Sequence, residues 1–412
     1  MMTAGRIAIV LSGLLWIACS DSSVNEPRAA DERLDENRIG EIVSKQILPL
    51  IGSFSDPEPD KSVGILVGVT YNGNRYYYNY GQVGLQSRDS VLTKDIVFFI
   101  GSNTKVFTGT LLALVDSATR NRVTPATPVA SLLPTNVKIN QPHGEILLWH
   151  LATHSAGYPD GVCPQPPVFG NYPFTSMTHF LTDFRPPYEP GKHWVYSNQG
   201  FALLGVLLSQ AYTTAGTSSD WEASYWNWPT LVSKIPEQLG MPSTQVDYTT
   251  VSARAAEGYA YSDDDGSPAY TAVDPPDWGL KSAGLPAGAI SSTLEDMLTF
   301  LEASISPPEG ALGAAMAETQ RVYPGSEGLS MGFGWQLSNG YLDKNGGLGG
   351  YQSYLAFDPD SKIGVFLFGN TSGGTAGGAL TQTGRRLLGA LRDRPANPSN
   401  FPSPSTIPQC PS

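Results

Sequence analysis

Ser102 and Lys105 form the one Ser-x-x-Lys in the chain. On a helix that spacing puts a hydroxyl and an amine on one face. An amine held in apolar surroundings loses affinity for its proton and can take one from a serine, giving a nucleophile and its base. The flanking residues suit this chemistry. A β-like run, Phe98, Phe99 and Ile100, precedes the pair, and Val106, Phe107, Leu111, Leu112, Leu114 and Val115 follow at helical spacing. Ser102 is therefore expected at the N-terminus of a core helix, where the helix dipole favours negative charge on a bound acyl group.

Three other signals are weaker. Gly328-Leu329-Ser330-Met331-Gly332 matches the nucleophile elbow of α/β-hydrolases, which needs a strand before it, a helix after it and a histidine later in the chain. Here the following segment reads as a strand, and all five histidines (143, 150, 154, 179 and 193) come earlier. His150 and His154 have the spacing of zinc ligands, but no glutamate lies between them to act as base and no third ligand is evident. They read as packing or helix-end residues, and no metal or cofactor is called for. Asp263-Asp264-Asp265-Gly266 reads as a hairpin turn, because Tyr261 occupies what would be the first ligand position of a calcium loop.

Gly101-Ser102-Asn103-Thr104-Lys105-Val106-Phe107-Thr108-Gly109 resembles the nucleophile motif of class C β-lactamases and related penicillin-binding DD-peptidases and esterases. Three further segments follow in that family's order. Leu151-Ala152-Thr153-His154-Ser155-Ala156-Gly157 is similar to its loop after the catalytic helix, and Val195-Tyr196-Ser197-Asn198 to its Tyr-x-Asn element. Lys344-Asn345-Gly346-Gly347 is similar to its Lys-Thr-Gly strand, continued by Ser353-Tyr354-Leu355-Ala356-Phe357. Tyr77-Tyr78-Asn79 and Tyr225-Trp226-Asn227 also fit Tyr-x-Asn, but only Tyr196 has the right order, with a helix-like segment, Phe201 to Leu208, after it.

The resemblance implies roles. Ser102 attacks a carbonyl, with Lys105 and Tyr196 sharing the general-base work. Two lysines near Tyr196 are expected to lower its phenol pKa. Asn198 positions Lys105 and a substrate amide, while Lys344 draws a substrate carboxylate. Asn345, Gly346 and Gly347 line the substrate strand, and the N–H groups of Ser102 and Gly347 form the oxyanion hole. Asn345 stands where the family has Thr. Tyr158-Pro159-Asp160-Gly161 stands where class C enzymes supply a glutamine for the substrate's side-chain amide. The substrate is thus a small molecule or peptide with an acyl carbonyl: a β-lactam or a D-Ala-D-Ala peptide. Two alternatives stay open, a carboxylesterase on the same scaffold and a penicillin-binding sensor that acylates without turnover.

The elements that must carry these groups point to an α/β (α+β) fold. Arg38 to Ile51 reads as an amphipathic helix, and Val63 to Tyr71 and Arg75 to Tyr80 as a hairpin around Asn72-Gly73-Asn74. Phe333 to Leu337, Tyr351 to Phe357 and Ile363 to Phe368 read as further strands, and Leu380 to Leu391 as a closing helix. A central antiparallel sheet built from both termini and flanked by helices follows, with a mainly helical region inserted at about 120–290. The hydrolase domain is placed at 36–393, and a disordered Pro/Ser-rich tail at 394–412.

Twenty-five basic residues against 37 acidic ones, with no Lys/Arg run, exclude a nucleic-acid partner. Arg6 precedes an apolar run of about 12 residues, Ile7 to Ala18, the length of a signal-peptide core and too short to span a bilayer. Residues 1–18 are therefore read as a signal peptide and 19–35 as a flexible tether, on a monomer exported to the periplasm or the cell envelope. Ala18-Cys19 has the form of a lipoprotein cleavage site, leaving lipidation of Cys19 open beside ordinary cleavage. Cys163 and Cys410 either pair or stay free.

Overall fold

Strands from the two ends of the chain meet in one antiparallel sheet. In a computed structural model, residues 34–83, 93–120, 122–166, 169–214, 227–276, 278–324, 330–396 and 408–410 are described. The strands are β1 (Gly64–Tyr71), β2 (Asn74–Gly81), β3 (Tyr323–Pro324), β4 (Ser330–Met331), β5 (Gln336–Ser338), β6 (Tyr341–Leu348), β7 (Tyr351–Asp358) and β8 (Ile363–Gly369). Their order in the sheet is β2-β1-β8-β7-β6-β5-β4-β3. Asn72 and Gly73 turn the first hairpin with φ of 50° and 80°, the left-handed pair that a two-residue turn demands. β1 is buried along its whole length between β2 and β8, as its unbroken apolar run requires.

Five helices position the site: α1 (Glu36–Ile47), α2 (Thr104–Ala118), α3 (Asn198–Thr214), α4 (Leu294–Ile305) and α5 (Ala376–Leu391). Side chains alternate across β1. Ile65, Val67 and Val69 pack with Ile39, Val43 and Ile47 of α1 and Leu380, Leu387 and Leu388 of α5, whereas Leu66 joins the core on the other face. On that second face α4 lies against the sheet and α2 lies behind it, with Phe107 stacked on Phe300 at 4.3 Å. Every residue from Thr104 to Leu112 is buried, so the first half of α2 is enclosed on all sides.

The inserted region holds helices and one hairpin, Gly258–Ser262 with Ala269–Val273, which turns at Asp263–Gly266 as expected. Thr371–Ser372 pairs in parallel with that hairpin and ties it to the chain just after β8. The strand expected at 333–337 is shorter, because Gly334 has φ of 80° and the Gly332 N–H donates to Trp335 O, making a turn before β5. Ser330 opens β4 and is followed by that turn rather than a helix, so the elbow geometry is not formed; Gly328 and Leu329 lie outside the described residues.

Residues 394–396 and Cys410, placed in the expected tail, are held against the domain. Arg394 is ion-paired with Asp358, Ala396 is buried, and Cys410 is bonded to Cys163 (S–S 2.08 Å). Residues 397–407, the expected leader and Cys19 lie outside the described residues. Asp35, placed in the tether, caps α1 by accepting the Arg38 N–H at 2.7 Å. No described helix is long and apolar enough to cross a membrane.

Candidate active site

A 3₁₀ turn, Gly101–Asn103, leads directly into α2 and carries Ser102. The serine is half-buried, and Lys105 one turn on is fully buried. Lys105 Nζ lies 3.1 Å from Ser102 Oγ. It also donates to Asn198 Oδ1 at 2.7 Å and to the Ala287 carbonyl at 2.6 Å. Two acceptors engage two N–H bonds and leave the third direction of the nitrogen facing the serine. Burial drives the Lys105 ammonium well below its ordinary pKa, and the charge of Lys344 drives it further down. A neutral amine turns its lone pair to Ser102, which is the state a base requires.

Tyr196 sits in the loop entering α3, and its O–H donates to Ser102 Oγ at 2.6 Å. Both expected lysines flank its ring, with Lys105 Nζ 5.1 Å and Lys344 Nζ 5.2 Å from the centroid. The expected lowering of its pKa is not found. Burial raises the phenol above its ordinary value, and the hydrogen bond to Ser102 lowers it by less. Tyr196 is therefore favoured as a phenol, and burial favours the neutral amine at Lys105.

His154, read as a packing residue, holds Tyr196 from both sides in sequence. Its carbonyl accepts the Val195 N–H at 2.8 Å and its Nδ1 accepts the Ser197 N–H at 3.0 Å. Its ring lies on the Tyr196 ring at 4.5 Å. His150 Nδ1 accepts the Leu147 N–H at 2.9 Å, a helix-end role. Backbone amides thus occupy a ring nitrogen of each histidine.

The fourth group arrives on β6. Lys344 is buried, and burial brings its ammonium down to about 8. It donates to the Asn345 carbonyl at 2.6 Å, with Asn345 Oδ1 at 3.4 Å. Gly346 and Gly347 follow where β6 presses on the nucleophile turn. A Cβ on Gly346 would stand 2.2 Å from Ile100 O and 3.0 Å from Ser102 N. Gly101, at φ of 52°, would place a Cβ 2.7 Å from Gly347 N. Glycine is required on both sides of this seam, where the segments carrying Ser102 and Gly347 press together. Ser353 of β7 fastens it by donating to Ile100 O and accepting from Asn103 Nδ2, both at 2.8 Å.

Every residue expected in the site is therefore brought to it: Ser102, Lys105, Tyr196, Asn198, Lys344, Asn345, Gly346 and Gly347. Sequence reasoning missed the Ala287 carbonyl, a backbone group without a motif, and the roles of Ser353 and His154 inside matched segments. Asp160, noted there only as a departure, accepts from Asn198 Nδ2 at 3.3 Å, and its backbone carbonyl accepts the Asn198 N–H at 2.8 Å.

A family model described as Beta-lactamase matches residues 56–390. The chain belongs to the beta-lactamase family. A beta-lactamase of Escherichia coli (strain K12) is 24% identical over 379 residues, covering 81% of this chain and 89% of that protein. One from Yersinia enterocolitica is 23% identical over 389 residues, covering 83% and 89%. Among solved structures, a class C beta-lactamase superposes with a TM-score of 0.66 at 20% identity, covering 87% of this chain and all of that one. A D-alanine carboxypeptidase from Burkholderia cenocepacia gives 0.64 at 22% identity, again covering 87% and 100%. Membership in the beta-lactamase family makes this chain a serine hydrolase, and its fold is the one those structures share.

Proposed function

We propose that the chain hydrolyses β-lactams or D-Ala-D-Ala-type peptides through an acyl-enzyme on Ser102. One observation carries the reading: Ser102 Oγ lies between the Tyr196 hydroxyl and the amine of a buried Lys105, 2.6 and 3.1 Å away. Neutral Lys105 takes the serine proton as Oγ attacks the carbonyl. The amides of Ser102 and Gly347 donate to the resulting oxyanion. Tyr196, held as a phenol, gives its proton to the leaving nitrogen and recovers one from the Lys105 ammonium. A water then adds to the acyl-enzyme carbonyl and surrenders its proton to the same Lys105–Tyr196 pair, which passes it to Ser102 Oγ as the acyl–oxygen bond breaks. Lys344 attracts the substrate carboxylate, Asn345 lies beside it, and Asn198 keeps Lys105 aimed. Export is part of the proposal, supported by the reading of residues 1–18 and by a disulfide, a bond that persists in oxidising compartments.

The test is parallel steady-state kinetics on a chromogenic cephalosporin, a D-Ala-D-Ala peptide and a p-nitrophenyl ester, with intact-mass and peptide mapping of trapped adducts. Turnover of a carboxylated substrate and an adduct on the Ser102 peptide are expected. An adduct on Ser330 would overturn the assignment. Preference for the ester would leave the nucleophile in place and change the substrate class to that of a carboxylesterase. An adduct that forms without turnover would make the protein a sensor.

A further inference from the structure

Asp160 is an exposed carboxylate fastened to a site whose two cations, Lys105 and Lys344, are buried. Its Oδ1 accepts from Asn198 Nδ2 at 3.3 Å, and Asn198 Oδ1 in turn accepts from Lys105 at 2.7 Å. The carboxylate is thus anchored two contacts from the base of the reaction. None of the ion pairs among the described residues includes it, although its charge acts on both Lys105 and Lys344. Its second oxygen, Oδ2, has no protein donor among the described residues. Such a group repels anionic substrates, and a positive charge on the substrate converts that repulsion into attraction. The same charge without Asp160 would meet only the two lysines.

We propose that Asp160 binds an ammonium group on the acyl part of the substrate. The favoured substrates are then zwitterionic acyl compounds, with the ammonium at Asp160 and the carboxylate at Lys344: short peptides with a free amine, or β-lactams with an amino group on the acyl side chain. This rests on Ser102 being the acylated residue. An acetylated amine or an acyl side chain with its own carboxylate is disfavoured.

Two thioesters with a thioglycolate leaving group, D-alanyl and N-acetyl-D-alanyl, differ only in the amine and are followed by thiol release. Wild-type protein is expected to prefer the ammonium form in kcat/KM. Asp160→Asn, similar in shape, should cut that preference by about two- to fivefold, the range of an ion pair at a solvent-facing rim. Asp160→Glu should restore part of it. An unchanged ratio in Asp160→Asn overturns the proposal, as does an equal fall for both probes, which would make Asp160 a positioner of Asn198. If neither probe is turned over and no adduct forms on Ser102, the nucleophile assignment fails, an outcome distinct from an insensitive ratio.

Discussion

Asp343 and Lys344 are consecutive on β6, equally buried, and opposite in circumstance. Asp343 faces the terminal helices, where Arg385 of α5 donates to it at 2.8 Å and Tyr354 O–H at 3.0 Å. Lys344 faces the catalytic turn, where its hydrogen-bond acceptors are the carbonyl and side-chain oxygens of Asn345. One side of the sheet gives a buried charge a direct ion pair; the other leaves two buried lysines outside any ion pair, with Asp160 acting on both only from a distance. Paired, a buried charge holds helix to sheet. Outside an ion pair, it keeps an attraction for a substrate group of opposite sign. A single strand serves both purposes because successive side chains point to opposite faces.

The harshest test of this division is Ser102→Ala. Turnover should fall by at least about a thousandfold, since nucleophile and base act as a unit, while thermal unfolding shows no loss of stability. Turnover within tenfold of wild type would remove Ser102 from the mechanism. Asp343→Asn should do the reverse. Leaving Arg385 without its counter-charge should cost about 3–5 kcal/mol in denaturant unfolding, with kcat little changed in the protein that remains folded. A selective loss of turnover instead would mean the two faces are not separable.

Lys344→Ala sharpens the other half. Carboxylated substrates should lose about 2–4 kcal/mol in transition-state binding, measured as kcat/KM, and neutral esters distinctly less. An equal loss for both would leave Lys344 tuning its neighbours without touching substrate. The same residue should set an alkaline limb in kcat/KM for carboxylated substrates. Its ammonium is held down to about 8, so the attraction is present below that pH and lost as pH rises through it. Lys344→Arg, whose charge persists, should move this limb upward; an unmoved limb assigns it to another group. Smallest of all, Ser330→Ala should be nearly neutral in both activity and stability.

How much of this was legible beforehand depended on whether a feature is local. The Ser102–Lys105 spacing and the hairpin around Asn72-Gly73 are set by neighbours in the chain, and each appears as expected. The direction of the Tyr196 pKa is not local. It depends on burial by segments far apart in sequence, and charge proximity alone pointed the wrong way. The Ala287 carbonyl could not be found because a backbone oxygen has no residue type. The Asp343–Arg385 pair spans 42 positions and carries no spacing that marks it. Cys410 was misplaced for a related reason: a Pro/Ser-rich stretch reads as unstructured whether or not its last cysteine is bonded.

That bond has a consequence in time. Cys163 lies in the loop after Asp160, where Gln199 Oε1 accepts its N–H at 3.0 Å and Tyr172 O–H lies 2.9 Å from its carbonyl. A chain synthesised from its N-terminus must release 247 further residues before Cys163 can meet Cys410. Ser102, Lys105, Tyr196 and Lys344 have all emerged by then, while the loop beside Asn198 is still held only by Gln199, Tyr172 and their neighbours. The covalent lock on the rim of the active site is accordingly among the last events of maturation, and a nascent chain arrested before Cys410 would carry every catalytic side chain on a rim not yet locked.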